Sequence, residues 1–150
     1  SVSEVLIKTI YVAETMPLQT MLETFTKRRA SIAVVIDEFG GTAGIISLED
    51  VLEQIFGEIE DEHDVQEQME KKVSDNEWIF STRLEVEYLN ETYHLGLAES
   101  EEYDTLAGYI IAEYGGIPQQ GEELRIHNFN IKILKRVQSR LELVQLRLVE

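Results

Sequence analysis

The stretch at residues 32–59 constrains the fold more than any other part of the chain, because it predicts two strands and a helix in direct succession. Two apolar runs, IAVVI and AGIIS, flank the polar segment DEFGGT, whose glycines are typical of a turn. The chain then enters a segment whose apolar residues share one helical face: Leu48, Val51, Leu52, Ile55 and Phe56. We predict strand, turn, strand and helix, with Gly57 as the candidate helix end.

The residues before this stretch add a strand and a helix. The run VLIKTIYVAE is rich in β-branched residues and predicts a strand. In TMPLQTMLETFTKRR, apolar residues recur at helical spacing: Leu18, Met21, Leu22 and Phe25. Thr15 is the predicted N-cap of this helix, with Pro17 in its first turn. The first part of the chain is therefore predicted as β-α-β-β-α, and SIAVVI as a strand buried on both faces.

Charge and composition exclude several classes of protein. The 150 residues carry 29 acidic and 13 basic side chains, a net charge of −16. Such a surface repels phosphate backbones, so we expect no nucleic-acid partner. The chain has no cysteine, which excludes disulfides and thiolate metal sites. No apolar run approaches the roughly 18 residues of a membrane span, and the start at Ser1 suggests a piece of a longer protein.

A strongly charged segment separates two halves of different character. We assign residues 1–59 to a first domain, 60–76 to an acidic linker and 77–150 to a second domain. In the second domain EWIFS predicts a strand, and Val86, Leu89 and Tyr93 mark a helix. A second helix begins at Asp104 or Thr105 and ends near GGIP.

Three further strands close the chain, in EELRIHNF, NIKILKRVQ and LELVQLRLV. HNFN and Ser139-Arg140 are the predicted turns between them. The fold class is therefore α+β, with a three-stranded antiparallel meander carrying two helices in the second domain.

The junction GTAGIISLED holds the candidate site. Gly44 allows close approach of a ligand, and the hydroxyl of Ser47 together with free N–H groups of the first helical turn suits a phosphate. Asp50 could accept hydrogen bonds from a ribose diol. The same spacing also fits a capping box, in which Ser47 caps the helix and Asp50 reaches back to its backbone. From the residues alone, both interpretations stand.

The order of elements and the Gly-x-x-Ser-x-x-Asp ending resemble a CBS domain. More narrowly, RRASIAVVIDEFGGTAGIISLEDVLEQIFGEIEDEHD resembles the second CBS repeat of the CorC/HlyC family, hemolysin-like proteins related to the cyclin M transporters. YDTLAGYI, GGIPQQGEE and the closing strands resemble the transporter-associated domain of the same family. The resemblance covers nearly the whole chain and implies a CBS half-module followed by that small α+β domain.

The resemblance also implies a ligand. CBS pairs bind adenosine nucleotides, so the resemblance implies ATP or AMP with magnesium as the ligand. Carried across, Ser47 would contact phosphate and Asp50 the ribose. Gly44 would keep the cleft open, and the backbone around Thr15 would meet adenine.

The implied function is the cytosolic regulatory region of a magnesium and cobalt efflux transporter, on the cytoplasmic side of the membrane. An upstream CBS repeat and a membrane domain are the implied partners, in a homodimer, and we expect no enzymatic activity. Two alternatives remain open. One is a structural dimerisation or docking module without ligand. The other is FAD binding by the C-terminal domain, where we find no glycine-rich dinucleotide fingerprint.

The remaining chemistry-bearing residues have simpler interpretations. EIEDEHD is predicted as a solvated acidic linker rather than a metal site, since its spacing matches no calcium loop. The histidines are scattered. We interpret Tyr103, Tyr109, Tyr114 and Trp78 as core residues, because aromatic rings bury large areas.

Overall fold

The computed structural model describes residues 8–59 and 69–149, with side chains described up to Phe56 in the first range. The chain divides into two compact units, Ser1–Asp61 and Glu62–Glu150. Each unit is described by itself below.

The first unit has the predicted order of elements. These are β1 (Thr9–Ala13), α1 (Leu18–Arg28), β2 (Ile32–Ile36), β3 (Thr42–Ser47) and α2 (Leu48–Ile59). Within the described residues the sheet order is β1-β2-β3, with β1 parallel and β3 antiparallel to β2. The β-α-β-β-α prediction is confirmed, and β3 is an edge strand.

The two faces of this sheet differ in burial. Val12, Val35 and Gly44 are cross-strand partners in one row, and Val12 is buried. On the opposite face Tyr11 and Ile45 flank Val34, and both are 71% exposed. The expectation that β2 is buried on both faces is wrong, because its burial is complete only at Ala33.

Two helix boundaries differ from the sequence prediction. The N-cap of α1 is Pro17 rather than Thr15, and it makes no side-chain cap bond. The reason is a turn in which the Met16 N–H donates to the Ala13 carbonyl at 3.0 Å, so the helix starts later. Helix α2 continues through Gly57 to Ile59, since glycine permits a left-handed end without imposing one.

The second unit is an antiparallel sheet with two helices, as predicted. Its elements are β4 (Glu70–Ser74), β5 (Glu77–Ser81), α3 (Val86–Tyr93), α4 (Leu106–Tyr114), β6 (Glu123–Ile126), β7 (Phe129–Val137) and β8 (Arg140–Leu148). The predicted β6-β7-β8 meander is present, but the sheet has five strands in the described residues, in the order β4-β5-β8-β7-β6. The second turn is at Gln138-Ser139, one residue before the prediction.

Strand β4 was not expected. It lies inside the 60–76 segment interpreted as a linker, and the structure assigns residues 70–74 to the sheet of the second unit. Residues 60–68 of that segment lie outside the described residues. The sequence EKKVS does not alternate between polar and apolar residues, so it shows no strand pattern. Its strand conformation follows from pairing with β5.

Helices α3 and α4 pack on one face of the sheet. Their buried residues, including Leu89, Tyr109 and Ile110, join Phe80 and Ile131 in one core. The side chain of Thr105 accepts a hydrogen bond from the Gly108 N–H at 3.2 Å, and Gly115 ends α4 in a left-handed conformation. Of the two helix starts that the sequence offered, Asp104 and Thr105, Thr105 is therefore the N-cap of α4.

Candidate functional site

The junction of β3 and α2 forms a reciprocal capping box. The backbone N–H of Ser47 donates to Asp50 Oδ2 at 3.0 Å, and the backbone N–H of Asp50 donates to Ser47 Oγ at 3.0 Å. Two N–H groups at the start of α2 are thereby satisfied. The structure therefore contains the capping box that the sequence predicted as one interpretation of this motif.

The box also sets the charge of Asp50. The hydrogen bond from the Ser47 backbone lowers the pKa of the Asp50 carboxyl below its ordinary value, and the Ser47 side chain lowers it further. The carboxylate is therefore ionised at neutral pH, with its Oδ2 atom held in place by the Ser47 N–H.

An open cleft of about 500 Å³ lies beside this box, entirely within the first unit. Residues 43–46 of the edge strand β3 line it. The other lining residues are Glu14, Met21, Val35, Asp50, Glu53 and Gln54. The cleft thus combines an apolar part, polar side chains from α2 and the end of β1, and the outer edge of β3, which has no neighbour among the described strands.

Gly44 helps to keep this space open. It lies in the same cross-strand row as Val12 and Val35, on the face that carries the core. A Cβ atom added at Gly44 would meet no other atom within 4 Å. A side chain at this position would therefore enter empty space rather than the protein.

The four predicted site residues do not occupy equivalent places. Gly44 and Asp50 line the cleft, and Ser47 is joined to Asp50 by the box. Thr15 is exposed and follows Glu14, which lines the cleft. In the described part of the unit, the lining includes neither Ser47 nor Thr15.

Sequence reasoning missed three polar residues of the cleft: Glu14, Glu53 and Gln54. A signal existed for the last two, because residues three and four positions after Asp50 share its helical face. For Glu14 the signal was its place directly after β1, which pairs with the strand that neighbours β3.

The other chemistry-bearing residues are the histidines and the acidic segment EIEDEHD. Among the described residues, no group of three or more acidic or histidine side chains is arranged to hold a metal ion. The side chains of EIEDEHD, including His63, lie outside the described residues. His127 Nε2 is 3.3 Å from Glu113 Oε1. No helix in the described ranges is long and apolar enough to cross a membrane.

The aromatic residues of the second unit contact one another. Tyr109 is fully buried with Tyr103 edge-on to it at 6.0 Å, and burial raises the pKa of Tyr109 to about 12. Trp78 is buried and stacks near Phe80. Tyr114 is exposed instead, and its hydroxyl donates to Glu122 Oε2 at 2.7 Å. The core interpretation is therefore wrong for Tyr114, while Tyr103 is partly buried against the core.

Comparison with known families identifies both units. The CBS domain model matches residues 2–57, and the CorC_HlyC model, described as a transporter associated domain, matches residues 71–150. The chain belongs to the CorC_HlyC transporter-associated family and carries a CBS domain before that domain. This is a transporter family rather than an enzyme family.

Curated relatives point to the same group. The chain is 35% identical over 133 residues to the magnesium and cobalt efflux protein CorC of Buchnera aphidicola from Acyrthosiphon pisum, covering 88% of this chain and 45% of that protein. It is 34% identical over 134 residues to the Escherichia coli K12 protein of that name, covering 89% and 46%. The chain therefore spans about half the length of the curated relatives it matches.

A solved structure supports the fold of the second unit. The Mg²⁺ and Co²⁺ transporter (CorC) associated region of Neisseria meningitidis MC58 aligns with a TM-score of 0.50 at 27% identity. The alignment covers 55% of this chain and 100% of that chain.

Proposed function

We propose that this chain is the regulatory region of a CorC-type magnesium and cobalt efflux transporter, on the cytoplasmic side of the membrane, and that its CBS unit senses an adenosine nucleotide. The family membership and the names of the curated relatives support the transporter assignment. The cleft beside the capping box supports the ligand assignment.

The single observation that carries the ligand proposal is the position of Asp50. Its carboxylate both lines the cleft and is fixed by the Ser47 N–H through Oδ2. The second oxygen, Oδ1, can accept a hydrogen bond from a ribose hydroxyl. Since Ser47 Oγ accepts from the Asp50 N–H, the Ser47 hydroxyl hydrogen is left to donate to a phosphate oxygen at the edge of the cleft. Capping and ligand binding are thus compatible uses of the same two side chains.

The rest of the cleft suits a purine. Among the described strands β3 has no neighbour on its outer edge, so its backbone N–H and C=O groups there can pair with the polar edge of adenine. Met21 and Val35 give apolar contacts for the ring faces, and Gly44 leaves room for it. An upstream CBS repeat would complete the site. A nucleotide regulates the transporter to the extent that it prefers one arrangement of the paired repeats.

Thermal denaturation tests this function. ATP or AMP with magnesium, at 100 times the dissociation constant, should raise the unfolding free energy by roughly 2.7 kcal/mol. The matched comparison is the 2′-deoxy nucleotide, which lacks a ribose hydroxyl that Asp50 would bind. The variant Asp50→Asn should reduce the preference of the protein for the ribose form over the deoxyribose form. The absence of a shift in both this chain and the longer protein with two CBS repeats would refute nucleotide sensing.

A docking function has its own supporting observation. Tyr11, Val34 and Ile45 form an apolar row on the sheet face opposite the core. Phe39 is 88% exposed, on a turn where Asp37 Oδ1 accepts from the N–H groups of Phe39 and Gly41. We propose that this face pairs with the upstream CBS repeat or, in its absence, with a second copy of the chain.

Light scattering separates docking from sensing. A dimer that persists without nucleotide and that Tyr11→Ser disrupts would support docking through the sheet, since Tyr11 belongs to the apolar row and does not line the cleft. A dimer that Tyr11→Ser leaves intact would refute it. Flavin binding by the second unit stays a prediction of the family resemblance, and a colourless purified protein would contradict it.

A further inference from the structure

The sheet of the second unit ends at β6, a short edge strand whose exposed residues carry opposite charges. Among the described strands β6 has β7 as its neighbour on one side and no strand on the other. Leu124 and Ile126 belong to the core, whereas Glu123 and Arg125 are exposed. Charged residues on an edge strand usually oppose pairing with another strand. Here the two charges differ in sign, so they oppose some pairings and favour others.

The hydrogen bonds to β7 show which backbone groups face the outer edge of β6. The Ile133 N–H donates to the Glu122 carbonyl at 2.9 Å, so Glu122 turns its backbone toward β7. Hydrogen-bonded and non-hydrogen-bonded pairs alternate along an antiparallel ladder, and β6 pairs with β7 without a register shift. Leu124 therefore also turns its backbone toward β7, and the N–H and C=O groups of Glu123 and Arg125 point outward.

We propose that β6 is a dimer interface, at which the strand pairs antiparallel with the same strand of a second copy of this chain, about a two-fold axis at Leu124. In this register Glu123 lies opposite Arg125 of the partner subunit. The two residues exchange their outward N–H and C=O groups as a hydrogen-bonded pair, and their side chains form a cross-strand pair of opposite charge. The contact occurs twice, because a two-fold interface uses the same surface on both subunits. The two sheets thereby become one continuous sheet.

Charge selects this register and this edge. An axis centred on Glu123 or on Arg125 would place like charges directly opposite each other, which destabilises a strand pair. The other edge strand of the sheet is β4, with the sequence EKKVS. The equivalent register there would place Lys71 opposite Lys71 of the partner subunit, and the Glu70 carboxylate already accepts hydrogen bonds from the Tyr88 hydroxyl at 2.8 and 3.0 Å. A second copy is therefore the occupant that β6 fits, because this strand complements itself.

The side chain of Arg125 is already held beside the strand. Its Nε atom donates to the His127 carbonyl at 2.8 Å, which leaves the two Nη groups able to donate to a carboxylate. On β7 the cross-strand neighbour of Arg125 is Asn130, whereas that of Glu123 is Lys132. Reversing the charge of Arg125 thus places no like charge beside it on β7, so Arg125→Glu is the first variant to test.

Sedimentation velocity over a range of protein concentrations tests the interface. All proteins carry Tyr11→Ser, so that the docking face proposed for the first unit does not contribute. Arg125→Glu places like charges at both cross-strand pairs and should weaken the dimer roughly tenfold or more. Adding Glu123→Arg to that variant restores opposite charges and should recover the dimer. The matched control is Lys72→Glu, an equal change of charge at an exposed residue on the opposite edge strand.

Several results would overturn the proposal. One is a Tyr11→Ser chain that stays monomeric at every concentration, which would exclude a second copy as the occupant of β6. Another is a dimer that Arg125→Glu leaves intact or that Lys72→Glu weakens equally. A third is a charge-swapped variant that is folded by circular dichroism but remains monomeric. If the swapped variant does not fold, Arg125→Glu and its control decide the outcome. Because the nucleotide cleft lies in the first unit, none of these results affects the proposed nucleotide sensing.

Discussion

Replacing Ser47 with alanine separates the helix-capping role of its hydroxyl from the proposed phosphate contact. The change deletes the 3.0 Å bond from the Asp50 N–H to Ser47 Oγ, but it keeps the bond from the Ser47 backbone N–H to Asp50 Oδ2. Loss of a serine N-cap costs about 1 kcal/mol. The Asp50 N–H lies at an exposed helix start, where water can replace part of the lost bond, so the cost should not exceed this value. In a unit of this size, that corresponds to a fall in Tm of roughly 4–8 °C.

The assay is thermal unfolding followed by far-UV circular dichroism, which reports the helices and strands of both units and therefore includes those of the first. Tryptophan fluorescence cannot replace it, because the single tryptophan, Trp78, lies in the second unit. Ser47→Thr is the matched control, since it restores a hydroxyl and should recover most of the stability. An unchanged unfolding free energy in Ser47→Ala would refute the stabilising role of the box.

The same variant tests the phosphate contact. If the Ser47 hydroxyl also donates to a phosphate, the stabilisation that AMP adds over adenosine should shrink in Ser47→Ala and return in Ser47→Thr. If the hydroxyl only caps the helix, the midpoint without ligand falls, but the increment from AMP stays the same. That second result would remove Ser47 from the binding site and leave the cap.

Four further predictions follow from the structure. Gly44→Ala should fold with an unfolding free energy within about 1 kcal/mol of the wild type, because the added Cβ meets nothing within 4 Å, yet calorimetry should show weaker nucleotide binding. Gly108→Ala places a Cβ 2.5 Å from Tyr103 Cβ; overpacking of about 1–3 kcal/mol should outweigh the gain in helix propensity of about 1 kcal/mol, and denaturation followed by tryptophan fluorescence measures it. Arg136 Nη1 donates to two carbonyls at 3.1 and 3.2 Å and Nε to a third at 2.7 Å, so Arg136→Lys should lose about 1–2 kcal/mol in the same assay. The pKa of Asp50 in the folded state is lowered from 3.8, so its charged form stabilises the fold above pH 3.8, and this stabilisation is lost as the pH falls through the lowered pKa. Acid denaturation of Asp50→Asn should therefore lack this loss of stability.

Periodicity predicted the elements well where one face is buried. The apolar residues of α2 and α4 lie at helical spacing and are buried as expected at Val51, Leu52, Leu106 and Tyr109. The same reasoning missed β4, because EKKVS has no apolar alternation and becomes a strand through its pairing with β5. It also placed the start of α1 too early, since the sequence gives no sign that the Met16 N–H pairs with the Ala13 carbonyl.

The candidate site shows why one motif can be interpreted in two ways. A helix start needs an acceptor for its first N–H groups, and a phosphate or ribose site at a helix start uses the same hydroxyl and carboxylate. Local spacing around Ser47 and Asp50 therefore cannot distinguish the two. A ligand needs space beside the box as well, and an open cleft lies there: Gly44 has no side chain, and β3 has no neighbour on its outer edge among the described strands. Neither condition is local to the Ser47–Asp50 motif, since the edge position depends on how β1, β2 and β3 pair. The decisive variant is therefore Gly44→Ala, which places a methyl group in that space and leaves both hydrogen bonds of the box untouched.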